Sequence, residues 1–262
     1  MRNNMKNCMT STAVALALFG TVFLAGQSAQ AAGNTPKPPA QSWSFSGMFG
    51  TFDRAAAQRG LQVYREVCAA CHSLRLVHFR QLSGLGYKEA QIKALAAEVE
   101  VTDGPNDEGE MFDRKGTPAD KFPSPFANAK AAAASNNGKA PPDLSLMVKA
   151  RIGGADYLHG LLNGYEAAPA GFKVPEGGAY NKYFPGHVIA MAAPLSDDAI
   201  EYQDGTKATV AQMATDVSTF LAWAAEPELE ERKSMGIKVL LFLLIFTGLL
   251  FAVKRKIWED VH

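Results

Sequence analysis

The feature that most limits how this chain can fold is the near-continuous apolar run MGIKVLLFLLIFTGLLFAV, from Met235 to Val253. As a helix rising 1.5 Å per residue it is roughly 28 Å long, close to the hydrocarbon thickness of a bilayer. It is apolar on every face and closes on Lys254, Arg255 and Lys256, features that a core helix of a soluble domain has no reason to carry. Arg232, Lys233 and Lys238 flank its other end, so charge bias alone leaves the orientation open. The amino terminus supplies the missing information. Arg2 and Lys6 precede an apolar stretch from Ala13 to Ala25, and Ala29-Gln30-Ala31 has the small-residue pattern of a cleavage site, which reads as a secretory signal peptide. The expected organisation is therefore a signal peptide over 1–31, an exported periplasmic domain over 32–231, an anchor helix with its flank over 232–253, and a cytoplasmic tail over 254–262. That arrangement predicts a single-pass protein of the bacterial cytoplasmic membrane, with its folded domain on the periplasmic side.

The remaining residues are enough for a real core. Of 262 residues 47% are hydrophobic, and 26 Lys and Arg balance 26 Asp and Glu, which excludes a charged disordered chain and gives no basic surface for nucleic acid. The neutrality is an average, since the two ends are cationic and the middle is acidic. Asp53 is a candidate N-cap for a helix running to about residue 70, with Ala57, Leu61, Tyr64, Cys68 and Cys71 recurring at three and four residues. Gly60 inside that pattern predicts close packing against a neighbour, expected to be the last soluble helix near Phe220 and Trp223. A second helix is predicted over about 87–99 and a short one over 127–134. Two helical pieces separated by Gly153-Gly154 follow, and the last soluble helix spans about 209–225 with Val210, Met213, Val217, Phe220 and Ala224 on one face. Between Glu98 and Asp113 lie seven carboxylates and no cation, a pattern read as a solvated loop. Pro175, Pro185 and Pro194 frame a stiff irregular segment around Met191. The predicted fold class is mainly α.

The chemistry is concentrated in Cys68-Ala69-Ala70-Cys71-His72. Once the signal peptide and its Cys8 are removed, only these two cysteines remain. A thioredoxin-type pair would open a helix after a strand, whereas this one ends a helix, and a structural metal site would need further strong ligands. Cys-x-x-Cys-His is the attachment pattern of c-type haem: two thiols form thioethers, and the adjacent His72 is delivered to one face of the iron. A sixth ligand must come from elsewhere. Met147, Met213 and Met235 read as packing, His78 follows His72 too closely, and Met111 lies in the acidic run. His187 and Met191 remain, with His159 as an outsider. A thioether would favour reduced iron and raise the potential relative to a second imidazole.

Four segments in order, WSFSGMFGTFDRAAAQRGLQVYREVCAACHS (43–73), TDGPNDEGEMFDRKG (102–116), PPDLSLMVKARIGGADYLHGLLNGY (141–165) and YNKYFPGHVIAMAAPLSDD (180–198), resemble the cytochrome c1 family. Its members are the membrane-anchored haem subunits of bacterial ubiquinol–cytochrome c oxidoreductases. The resemblance implies a class I cytochrome c-like haem domain with long loop insertions, carrying one haem c attached through Cys68 and Cys71. It implies His72 and Met191 as the two iron ligands, Arg151 as the partner of a haem propionate with Tyr157 nearby, and Pro142 at the border of the haem pocket. It further implies cytochrome b and a Rieske iron–sulfur protein as partners in a dimeric complex, with a soluble or tethered c-type cytochrome as electron acceptor. The chain would then serve an oxidoreductase as a redox subunit that binds no quinol and has no catalytic site of its own. Two departures stand out: Ala192-Ala193 follow Met191 where the family commonly has a proline, and the cysteine count leaves no room for the disulfide found in some bacterial members.

Two rival readings use the same residues. A free-standing membrane-anchored cytochrome shuttle would need a haem domain only about half as long. A haem peroxidase would need an exchangeable sixth position and usually a second attachment motif.

Overall fold

A helix that begins at a good cap and ends at the cysteines organises the molecule. The computed structural model describes residues 35–259; the signal-peptide reading, with Cys8, lies outside them. Helix α1 (Arg54–Val63) starts where Asp53 accepts a hydrogen bond from the Ala56 N–H at 3.1 Å. It continues as a π-helical turn over Tyr64–Cys68, closed by the Ala69 N–H donating to the Tyr64 carbonyl at 2.7 Å. A 3₁₀ segment (Phe79–Leu85) and helix α2 (Glu89–Ala97) follow.

The acidic run is not the open loop expected from its composition. Strands β1 (Glu100–Asp103) and β2 (Phe112–Lys115) pair antiparallel, with Glu100 opposite Lys115 and Asp103 opposite Phe112. The cation that holds this hairpin, Arg114, stands one residue past the run. Its guanidinium bridges Asp103 and Asp120, so two carboxylates are neutralised locally; Glu98 is paired with Arg65 across from α1.

Helices α3 (Ala129–Ala134), α4 (Met147–Ala150) and α5 (Gly154–Asn163) come next. The expected irregular segment includes a minimal hairpin of β3 (Ala179–Tyr180) and β4 (Val188–Ile189). Helix α6 (Val210–Ala225) is capped by the Thr209 hydroxyl, and α7 (Leu229–Ile257) runs through the apolar stretch. The fold is mainly α.

The core sits where α6 meets α1 and α5. All residues of α6 from Asp216 to Ala225 are buried. At Gly60 an added Cβ would lie 2.0 Å from the Asp216 carbonyl oxygen and 2.7 Å from the Phe220 Cβ, so the crossing of α1 over α6 requires glycine. Trp223, expected at the same place, lies against Gly84 in the 3₁₀ segment. Tyr64, Phe79, Phe122 and Phe220 form the aromatic centre, with Phe79 stacked on Phe122 at 4.3 Å.

Candidate functional site

The end of α1 hands the chain directly into the cysteine motif. The Cys68 carbonyl accepts hydrogen bonds from both the Cys71 N–H (3.1 Å) and the His72 N–H (2.8 Å), which folds the five residues into one tight turn. The Tyr64 hydroxyl reaches forward to the His72 carbonyl at 3.0 Å, tying the turn to the π-helical segment. Cys68 is half-buried and Cys71 exposed. Burial, then the neighbouring Cys71, pushes the Cys68 thiol up to about 12, so it is held as a neutral thiol.

His72 is oriented from a distant part of the sequence. Its Nδ1 lies 2.8 Å from the Pro142 carbonyl oxygen. A carbonyl can only accept, so Nδ1 carries the proton and Nε2 keeps its lone pair. Burial pushes the imidazole below its ordinary pKa, against the opposing influence of the Pro142 bond and Asp143, which favours the neutral form that ligates iron.

Pro142 is fixed by a run of bonds between residues 72–76 and 142–145. Leu144 N–H donates to the Ser73 carbonyl at 2.9 Å, and the Ser73 hydroxyl donates to Asp143 at 2.7 Å. Arg75 N–H reaches Asp143 at 2.9 Å and Leu76 N–H reaches the Ser145 hydroxyl at 3.1 Å. Burial alone would raise Asp143, yet the hydrogen bonds from Arg75, Ser145 and Ser73 hold it below the usual carboxylate range.

The other predicted residues occupy α4, α5 and the Met191 loop. Arg151 is exposed just after α4, its Nη1 3.2 Å from the Ala150 carbonyl. Half-buried Tyr157 has its phenol raised by burial and lowered by Arg151, which makes these two electrostatic neighbours. Met191 is half-buried, and its backbone carbonyl accepts the Tyr165 hydroxyl at 3.2 Å. Fully buried Asn181 ties the same loop to α5, donating to the Leu161 carbonyl at 2.8 Å.

The rival ligands are engaged elsewhere. His187 has its ring stacked on Tyr180 at 5.5 Å, and His159 meets Trp43 edge to face at 6.1 Å. Met147 and Met213 are core residues, while Met48 and Met111 are exposed. Direct bonds thus join Cys68, Cys71, His72 and Pro142 into one unit and tie Met191 to Tyr165, while Arg151 acts on Tyr157 only through its charge. Asp143, Tyr165 and Asn181 escaped the sequence reading, and Tyr64 was read only as part of the helical spacing, not as a brace of the cysteine turn.

The donor set suits a c-type haem: two thiols on one turn, a neutral imidazole with Nε2 free, and a thioether on an anchored loop. Leu76, Leu146 and Ile152, on the segments that flank the site, expose apolar side chains, Ile152 completely. Among the described residues no three His, Cys, Asp or Glu side chains converge as a metal-ion cluster.

Comparisons with known proteins identify the family. The chain is 52% identical to cytochrome c1 of Rhodospirillum rubrum over 94% of its own length and 97% of that protein. It is 50% identical to cytochrome b/c1 of Bradyrhizobium diazoefficiens over 97% of its own length, spanning 40% of that longer protein. It is 53% identical to the mitochondrial cytochrome b-c1 complex catalytic subunit of Candida albicans over 86% of its own length and 78% of that protein. The profile of the Cytochrome C1 family matches residues 43–261; with the cysteine turn and its oriented histidine inside that span, the chain belongs to the cytochrome c1 family.

Proposed function

We propose that this chain is the one-electron relay of a quinol-oxidising complex, taking electrons from a Rieske iron–sulfur protein and handing them to a c-type cytochrome. Family membership makes the role electron transfer, with no independent catalytic site. The chain is anchored by α7 with its helical domain facing the periplasm. The proposed boundaries are those expected from the sequence: 1–31 removed on export, 32–231 periplasmic, 232–253 in the membrane with its flank, 254–262 cytoplasmic.

The observation that carries the reading is the 2.8 Å contact between His72 Nδ1 and the Pro142 carbonyl. It supports one tautomer and ring plane, which leaves the Nε2 lone pair available to a metal before any cofactor arrives. One haem c, bound through Cys68 and Cys71, would supply reversible one-electron chemistry. His72 and Met191 would hold its iron, Arg151 with Tyr157 would meet a propionate, and Pro142 would border the pocket. The chain's own residues provide orientation and exclude water: Tyr64 and Asp143 brace the proximal side, and Tyr165 and Asn181 brace the Met191 loop. Cytochrome b and the Rieske protein are the proposed partners in a dimeric assembly.

The test combines assembly and ligation. Extraction in mild detergent is expected to co-purify cytochrome b and the iron–sulfur protein with the haem-loaded chain. In that complex Met191→Leu abolishes the weak long-wavelength sulfur-to-iron band of the oxidised form and lowers the midpoint potential. A chain that purifies alone would favour the free-standing shuttle, and an unchanged band and potential would exclude Met191 as ligand.

A further inference from the structure

The segment Ser44–Gly50 carries no charge and turns back on itself at Gly47, where φ is +73°. At Gly50 an added Cβ would lie 2.0 Å from the Ser46 carbonyl oxygen. The turn is therefore built tight, and it presents Met48 and Phe49 at its tip, 60% and 81% exposed. Nothing in the helical core or the cysteine site uses these two side chains.

The turn is fastened to the base of the anchor helix. Lys233 Nζ donates to the Phe45 carbonyl at 2.8 Å and to the Gly50 carbonyl at 3.0 Å, spanning both ends of the turn. Glu230 accepts the Phe52 N–H at 2.8 Å and a two-pronged pair from Arg54. Phe45 stacks between Trp43 (5.5 Å) and Phe52 (5.1 Å), which stiffens the base. Lys233 precedes the start of the apolar run at Met235 by two residues, about 3 Å of helix rise. From Lys238 onward α7 is exposed on all sides, so the domain releases the helix at the level where the turn hangs.

We propose that the Met48–Phe49 turn is a membrane-interface foot, inserting its two apolar side chains into the headgroup and acyl boundary beside α7. The occupant is lipid because Lys233 ties both ends of the turn to α7 two residues before its exposed apolar run begins. Exposed Lys238, about 7.5 Å further along α7 than Lys233, adds a cation whose long stem can reach back toward anionic headgroups. The foot and α7 together give the domain two points of membrane contact, which fixes its tilt as well as its distance from the bilayer.

The test uses the full haem-loaded chain in nanodiscs of phosphatidylcholine and phosphatidylglycerol, with and without bromine on the acyl chains. Met48→Cys or Phe49→Cys is introduced in turn and labelled with a thiol-reactive fluorophore; Cys8 leaves with residues 1–31, and Cys68 and Cys71 are consumed as thioethers. A label at Leu244 inside α7 sets full quenching, and one at Met111 in the β1–β2 connection sets none. Either foot position is expected to lose about half its emission in brominated lipid, as for a side chain seated roughly 5–10 Å into the interface. Quenching at the Met111 level with free access to aqueous iodide would overturn the proposal. Protection from both quenchers would also overturn it, by showing a protein surface there in place of lipid.

Discussion

Helices α6 and α7 follow one another with three residues between them, and both are rich in apolar side chains, yet they are built for opposite surroundings. From Asp216 to Ala225 every residue of α6 is buried in protein, whereas the most apolar stretch of α7 is not buried at all. Of these two stretches, the buried one is the one that carries polar groups. Asp216 is fully enclosed and takes two hydrogen bonds from Arg59, at 2.9 and 3.0 Å, and one from Gln212 at 3.0 Å. Thr215 and Thr219 return their hydroxyls to carbonyls one turn back; only Ser218 keeps a hydroxyl without a partner. Past Lys238, α7 has Thr247 as its one polar side chain before Lys254. Protein can supply a designed partner for a buried charge and hydrocarbon cannot, so polarity follows the neighbours available rather than burial itself.

The strongest way to break this contrast is to remove the partner inside the core. Asp216→Ala leaves the Arg59 guanidinium without its main acceptor and is expected to cost roughly 3–5 kcal/mol. The check is the thermal midpoint of the detergent-solubilised, haem-loaded chain. An unchanged midpoint would show that Asp204, 2.9 Å from Arg59, suffices alone. Next in size, placing a carboxylate mid-way along α7 by Leu244→Asp should disfavour insertion by about 2.5–3.5 kcal/mol. This is read as a rise in the carbonate-extractable fraction; full retention would mean that another helix covers that face.

The smallest effect lies at the junction of the two regimes. Arg54, then the Phe52 N–H and Lys233, hold the Glu230 carboxyl below its ordinary value of 4.5. A depressed folded-state pKa stabilises above the unfolded value and is lost as pH falls through the folded one. Glu230→Gln should therefore lower stability by about 0.5–1 kcal/mol near neutral pH. That gap should close in acid, as seen in denaturation midpoints across a pH series. A gap independent of pH would assign the effect to lost packing.

The same contrast explains what could be read from the sequence. Asp53 and the spacing of Ala57, Leu61 and Tyr64 identified α1, because capping and helical periodicity are local. The apolar run identified α7 for the same reason. The β1–β2 hairpin was missed because its decisive residue, Arg114, lies just outside the acidic run and acts on Asp103 and Asp120 at once. At the site, Cys68, Cys71 and His72 declare themselves by spacing. Pro142 acts through its backbone carbonyl across 70 residues, and a carbonyl leaves no mark on residue identity. The proline-framed loop narrowed the second ligand to His187 or Met191 and family resemblance chose between them; Pro142, Arg151 and Tyr157 were assigned roles through resemblance alone.

The π-helical turn at Tyr64–Cys68 sets a rule about chain length rather than residue type. Its bond from Ala69 N–H to the Tyr64 carbonyl encloses one residue more than an α-turn. Wound as a regular α-helix, the same residues would place all that follows about 100° further round the axis of α1. The cysteines and His72 would then face away from Pro142 while Leu61 and Val63 stayed in the core. A one-residue deletion at the turn should therefore be absorbed by a return to α-helical winding, whereas the same deletion within α1 has no such slack to draw on.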